Sequence, residues 1–330
     1  MSSMGGKGKP GSPILNHHVT PASGWRDAPL EPARHERRLR GLLPFQHQPR
    51  VRLTAFVMLV AAATAIGCAQ LLGEKTQWSP IAEIKHWEIC ESSGLVKSRQ
   101  HADVFWTHND SGNRHALFAI NLKGETIARF AIEAPPGGDW EDIAIDDAGH
   151  LYIGDIGDNH ARRPFRTIYK VREPDPRSAS SEQAEVLAKM DFRYPDQKYN
   201  AESLFVVSGE LYMITKLFLG RPTLFHLEKQ EDGSLSPRAI CSLPVATATA
   251  ADVSADGKKL AVCGYGQLWV FDIPDDLSKL ADAKPKRVTF PGHYQTEACA
   301  FDGNDLIVTA ESREIWRITA EDIKTERTLP

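Results

Sequence analysis

The sequence predicts an all-β chain folded as a five-bladed β-propeller, with four antiparallel strands per blade. Three observations carry this: one hairpin plan recurs five times, the same stretch lacks helical periodicity, and a short segment precedes the first repeat. That segment is positioned to complete the last repeat. Self-similarity at a fixed interval of about 50 residues is the signature of radially repeated sheets.

The recurring plan is a polar or acidic residue, an apolar strand, a turn, and a second apolar strand with a polar end. It reads "SGLVKSRQHADVFWTHND", "EDIAIDDAGHLYIGD", "ESLFVVSGELYMITK", "ADVSADGKKLAVCGY" and "EACAFDGNDLIVTAE". A third strand follows each: "HALFAINL", "RTIYKVRE", "PTLFHLEK", "QLWVFDIP" and "EIWRITAE". Fourth strands are weaker, as in "TIARFAI", "KMDFRYP" and "KRVTFPG". The leading residues Ser93, Glu141, Glu202, Ala251 and Glu297 stand 48, 61, 49 and 46 residues apart.

The last repeat lacks a fourth strand after "EIWRIT". The segment "SPIAEIKHW" (79–87) is expected to supply it, closing the ring and covering an exposed sheet edge. A single helical turn is expected near "DDLSKLADA" (275–283). A β-sandwich is the competing all-β reading, and it leaves the repeated strand order unexplained.

The propeller occupies residues 77–330. Residues 1–49 are rich in Gly, Pro, His and Arg without apolar periodicity, and read as a disordered extension. Residues 50–68 read as a secretory signal: Arg50 and Arg52 precede an apolar run too short to span a bilayer comfortably. "AIGC" resembles a bacterial lipobox, which makes Cys68 the lipid-carrying residue and 69–76 a linker. A plain signal peptide or a membrane anchor are the alternatives. The long extension also suggests an upstream misassigned start, with translation beginning near Val51. A native peptide from 1–49 would exclude that.

At 330 residues, 42% hydrophobic and 25% charged, the chain can bury a sizeable core. A net charge of −4 argues against nucleic acid as a partner. The basic run "RHERRLRG" lies outside the folded part and reads as a solvated segment. Cys90, Cys241, Cys263 and Cys299 have no CxxC spacing, which argues against zinc. All four are expected in apolar strands as small hydrophobes; export would permit disulfides, without specifying any.

The start of a first strand and the finish of the antiparallel second strand lie at one end of a blade. The leading residues should therefore ring one mouth of the tunnel. Around them would stand Asn109, Asp110, Asp155, Asp158, Asn159, Lys216, Tyr265 and Glu311. Glu141, Glu202 and Glu297 would converge on the axis, where like charges cannot all stay ionised without a counterion. A hard divalent cation resolves this, and oxygen donors point to Ca²⁺. Ser93 would add a hydroxyl; Ala251 offers no ligand, although Asp252 stands beside it. Waters bound by the glutamates, or Lys216 acting as an internal counterion, are the readings without metal.

A five-bladed propeller carrying Ser93, Glu141, Glu202, a fourth residue and Glu297 on its axis resembles the calcium-activated nucleotidase (apyrase) family. The resemblance implies that these residues surround one Ca²⁺; the family's fourth position is usually Ser, and Ala251 departs from it. The nucleotide-handling residues of that family have no match here. The phrases "SGL", "DWEDIA" and "IGDIGDN" also resemble bacterial propellers grouped near the phytase-like esterase and SdiA-regulated families.

"HNDSGN" (108–113) and "GDIGDN" (154–159) occupy equivalent strand ends. Asp, Asn and Gly serve tight turns, and the same residues could contact a ligand. Arg163 is expected to pair with a bound anion or with Asp155, with Arg162 and Arg166 competing; Arg suits phosphate or carboxylate through paired hydrogen bonds. His108 and His293 are candidate general bases. No GxSxG elbow, P-loop or HExxH motif occurs.

Two functions follow. The chain is expected to be an exported, lipid-anchored propeller in a bacterial envelope, periplasmic or extracellular. There it would bind an anionic small molecule, or a peptide, glycan or envelope partner, with Ca²⁺ at its mouth. The alternative is a metal-dependent hydrolase of phosphate or carboxylic esters, with Asp155, Asp158 or His108 assisting a metal-bound water.

Overall fold

The computed structural model describes residues 79–178, 182–196, 199–289 and 295–326. The readings for 1–49, for 50–68 with Cys68, for the linker 69–76 and for His293 lie outside these residues. The described chain is almost entirely β, in four-stranded antiparallel sheets that resemble propeller blades.

The sheet of the first repeat holds β2 (Ser92–Lys97), β3 (Phe105–Asn109), β4 (Ala116–Ile120) and β5 (Thr126–Ala131). The second holds β6 (Trp140–Ile145), β7 (His150–Asp155), β8 (Arg166–Arg172) and β9 (Val186–Phe192). The third holds β10 (Ala201–Val207), β11 (Glu210–Thr215), β12 (Thr223–Lys229) and β13 (Leu235–Ser242). Second and third join through one parallel pairing, Leu235 with Phe192.

The fourth holds β14 (Ala248–Val253), β15 (Lys259–Gly264), β16 (Gln267–Asp272) and β17 (Lys286–Thr289). The last holds β18 (Thr296–Asp302), β19 (Asp305–Ala310) and β20 (Glu314–Ile318), with β1 (Ala82–Glu83) antiparallel to β20. Ala82 faces Ile315 and Glu83 faces Glu314. The segment 275–283 forms a 3-10 turn, Leu277–Asp282, capped by Asp276. One short helix was not foreseen: α1 (Ala320–Lys324), whose Thr319 and Asp322 form a capping box.

The core lies between sheets. Trp106, Leu117 and Phe130 of the first sheet pack with Ile143, Ile153 and Tyr169 of the second. Similar clusters join second to third, third to fourth and fourth to last. A further one joins Ala298 and Ile307 of the last sheet to Leu95 and Phe118 of the first. Each strand thus alternates its buried side chains between two neighbouring interfaces, which explains the continuous apolar runs of the inner strands.

Every first strand is interrupted by a bulge near its start. Register slips between Ser93 and Leu95, Trp140 and Asp142, Ala201 and Ser203, Ala248 and Ala250, and Thr296 and Ala298. In β2 the bulge contains Gly94 at φ +78, where an added Cβ would stand 2.8 Å from the Ile143 nitrogen. Only glycine fits that close approach at a positive φ.

Two buried aspartates stitch first strands together. Asp142, with no exposed surface, accepts the Ile143 N–H (2.9 Å), the Leu204 N–H of β10 (2.8 Å) and the Ala251 N–H of β14 (3.0 Å). Asp252 accepts the Phe301 N–H of β18 at 2.7 Å. Burial raises the Asp142 pKa well above the usual carboxylate range despite its donors, and pushes Asp252 up to about 7.

The thiols Cys90, Cys241, Cys263 and Cys299 are free. Cys263 and Cys299 are buried in strands, as expected, whereas Cys90 is exposed and lies outside any strand.

Asp142→Ala strands two cross-sheet N–H groups in the core and is expected to cost at least ~3 kcal/mol in denaturant melts. Asp252 binds its proton more tightly folded than unfolded, so its stabilising contribution is complete below about pH 4 and is lost as pH rises through about 7. Asp252→Asn should therefore gain on the native protein across that interval, by up to ~4 kcal/mol. Parallel stability profiles for the two proteins would contradict the assignment.

Candidate functional site

The bulges place one residue of each first strand at the end where the second strands finish. Ser92 pairs with Asn109, Trp140 with Asp155, Ala201 with Thr215, Ala248 with Gly264 and Thr296 with Ala310. By this register the equivalent positions are Ser93, Glu141, Glu202, Thr249 and Glu297. The fourth is Thr249 and not Ala251, which lies two residues deeper and gives its N–H to Asp142. Thr249 and Ser93 behave alike: each hydroxyl donates to a carbonyl of the next sheet, Thr296 O at 2.7 Å and Glu141 O at 2.6 Å.

The carboxylates at this end divide into two groups. Lys216 Nζ pairs closely with Glu202 and lies 4.0 Å from Glu297. The Tyr265 ring centroid is 4.9 Å from the same nitrogen. Burial works against the lysine's charge, but Glu202 and Glu297 outweigh it and raise its pKa. Glu297 is pushed up to about 8 by burial, and burial pushes Tyr265 up to about 12. Lys216 is thus the internal counterion for two of the three expected metal-binding glutamates.

The second group is Asp110, Asp139 and Glu141, whose nearest carboxylate oxygens all lie within 4.8 Å of one another. This cluster could hold a metal ion. Of the expected carboxylate ligands only Glu141 belongs to it; Glu202 and Glu297 face the lysine instead. Glu141 is buried, and its Oε1 has no hydrogen-bond partner. Burial raises its pKa well above normal, helped by the charges of Glu202, Asp110 and Asp139. Burial also raises Asp110 and Asp139. An oxygen-only donor set with an orphaned buried acceptor fits a hard cation.

Gly157 is what lets the cluster form. A Cβ there would stand 1.9 Å from Glu141 Oε1 and 2.5 Å from Asp139 Oδ2. The loop around it is fixed by ion pairs. Arg163 binds the Asp155 carboxylate and donates to the Gly157 carbonyl (2.8 Å); Asp155 accepts the Asp139 N–H (2.8 Å). Arg166, itself buried, pairs with Asp158 at 2.6 Å. Asp158 also accepts the N–H groups of Arg162 and Arg163. Burial opposes the Asp158 charge, yet these donors prevail and hold its pKa below normal.

The remaining expected residues stand as follows. His108 is fully buried and its pKa is lowered to about 4 by burial. Its Nδ1 lies 3.0 Å from the Asn109 carbonyl and its Nε2 has no partner. The Asn109 side chain caps the N–H groups of Cys90 and Glu91. Asn159 accepts from Asn200, which also donates to Glu202 at 3.0 Å. Glu311 accepts from Gln295 at 3.3 Å. Asp139 and Gly157 are not among the residues expected from the sequence; Asp139 lies just before β6, and Glu141 sits at its bulge, where alternation gives no guide.

Two loops at this end carry exposed apolar side chains: Phe165, between β7 and β8, and Leu217, Phe218 and Leu219, between β11 and β12. Leu219 is 91% exposed.

No protein-family model matches the chain, and no curated protein matches it. Similar solved structures include virginiamycin B lyase from Staphylococcus aureus, 13% identical, covering 69% of this chain at a TM-score of 0.38. This chain spans 66% of the length of that lyase. PQQ-bound aldose sugar dehydrogenase from Streptomyces coelicolor is 13% identical over 73% of this chain and 96% of its own, at 0.44. The β-propeller domain of Cps50 (Swd1) from Myceliophteria thermophila is 12% identical over 71% and 65%, at 0.35. These are distant similarities to β-propeller proteins and identify no family.

Gly157→Ala should disrupt the acid cluster while leaving the sheets in place. Cation affinity by calorimetric titration is expected to fall by ~10-fold or more, with far-ultraviolet dichroism unchanged. Unaltered affinity would show that Asp139 and Glu141 do not hold the cation together.

Proposed function

We propose that this chain is a five-bladed β-propeller closed by β1, exported and lipid-anchored at Cys68, that binds an envelope partner through a Ca²⁺-type cation at its tunnel mouth. The proposed ligands are Asp110, Asp139 and Glu141. What carries the reading is Glu141 Oε1, a buried acceptor without a donor inside a cluster of three carboxylates. Lys216 pairs with Glu202 and lies near Glu297, whereas no lysine or arginine forms an ion pair with Asp110, Asp139 or Glu141 among the described residues. The sheet-to-sheet clusters that return from the last sheet to the first support the closed ring.

A binding role is favoured over ester hydrolysis by the state of the candidate bases. Asp155 and Asp158 are committed to Arg163 and Arg166, and His108 is buried with a low pKa. The exposed Phe165, Phe218 and Leu219 beside the mouth offer the apolar contact that a protein or peptide partner needs.

Full-length protein freed of metal with EDTA should gain stability on adding Ca²⁺, by about 2.7 kcal/mol at one hundred times the Kd. Glu141→Gln should abolish that gain. Because the three carboxylates hold protons above their usual range, protons compete with the cation, and affinity should rise with pH from about 5 to 8. Stability indifferent to both Ca²⁺ and EDTA would refute the cation. Ca²⁺-dependent turnover of nitrophenyl phosphate or acetate, lost in Glu141→Gln, would replace the binding reading with hydrolysis.

A further inference from the structure

A second concavity lies beside the β3–β4 loop and shares no carboxylate with the acid cluster. Its volume is about 370 Å³, and Trp87, Glu88, Cys90, Arg114, Phe118 and Arg129 line it. That size suits a small organic molecule.

The charges around it are largely spent. Arg129 pairs with Glu88 at 3.0 Å and lies 5.9 Å from the Phe118 ring centroid. The Asn109 amide is committed to the backbone of residues 88–91, and Asn113 donates to Glu91 at 2.8 Å. Arg114 differs. It is exposed and forms no ion pair or hydrogen bond among the described residues.

The walls are aromatic. Phe118 is 1% exposed and forms a rigid floor, held within the core. Trp87 is 77% exposed, although it is the largest apolar side chain of its segment. Its indole lies nearly parallel to the His86 ring, at 13° and 6.3 Å between centroids. A solvent-facing indole and an unpaired guanidinium on the same cavity offer it a stacking surface and a two-pronged anion donor.

We propose that this cavity binds an aromatic carboxylate, the ring lying against Trp87 above Phe118 and the carboxylate accepting two hydrogen bonds from Arg114. The ring requirement comes from the aromatic lining, and the anionic requirement from the one uncommitted cation. None of Asp110, Asp139 and Glu141 lines it, although Asp110 lies on the same β3–β4 loop as Asn113 and Arg114.

Cys90 supplies the assay. Its exposed thiol lines the cavity and donates to Asn113 Oδ1 at 3.4 Å, so an occupant should shield it from alkylation. The full chain is treated with iodoacetamide in EDTA, with or without 2-naphthoate, and labelling of Cys90 is followed by peptide mass spectrometry. Half-buried Cys241 serves as the internal control.

At twice its Kd, 2-naphthoate should slow Cys90 labelling about threefold and leave Cys241 unaffected. The neutral 2-naphthylmethanol should give little protection, and Trp87→Ala and Arg114→Ala should each lose the effect. Both substitutions are at exposed positions, and unchanged melting curves would confirm that the fold is kept. The proposal fails if 2-naphthoate gives no protection, if the alcohol protects equally, or if protection survives in both variants. Because EDTA is present throughout, loss of Ca²⁺ binding cannot produce any of these results.

Discussion

One buried carboxylate, Asp142, holds the centre of the fold. It accepts backbone N–H groups from its own strand, from β10 and from β14. These strands belong to three different repeats and are not ladder partners of one another. In β6 the bulge shared by all the first strands falls between Trp140 and Asp142, at Glu141. Burying an unpaired polar group costs several times what a satisfied one contributes. A chain that lost this acid would leave orphaned donors where its inner strands converge.

Electrostatics then decide what the mouth can do. At an effective dielectric of about 20, two carboxylates about 5 Å apart repel by roughly 3 kcal/mol. Lys216 offsets part of this cost for Glu202 and Glu297, although burial still raises both pKa values. Asp110, Asp139 and Glu141 form no ion pair with a lysine among the described residues, and burial makes each hold its proton more tightly. Burial disfavours these charges first and the neighbouring carboxylates add to it, and a proton or a cation would each relieve that cost.

The repeat is legible because each hairpin repeats the same plan of short apolar strands, turn and polar ends, and the partner strand for β20 follows from what the last sheet lacks. The site was less legible, for reasons of register. A bulge adds a residue that no alternation pattern announces, which is why Thr249 was passed over for Ala251. With Thr249 restored, the five equivalent first-strand positions carry hydroxyls at Ser93 and Thr249 and carboxylates at Glu141, Glu202 and Glu297. Lys216 was recognisable as facing the acids, but its preference for Glu202 and Glu297 depends on distances that no sequence states. Arg166 looked like a competitor for an anion; its burial against Asp158 makes it part of the scaffold.

The two acidic loops, similar in composition, divide the labour. "GDIGDN" spends its charges on itself: Arg163 fixes Asp155, Asp155 fixes the backbone of Asp139, and Arg166 fixes Asp158. These bonds position the Asp139 backbone before any ligand arrives, and Gly157 keeps the space beside Glu141 open. A site assembled this way pays little ordering entropy on binding. It follows that a cation would add to stability by mass action without being required for folding, unlike a small domain whose metal replaces a missing core. The extensive apolar packing between the sheets, from Trp106 to Trp316, supplies that core independently.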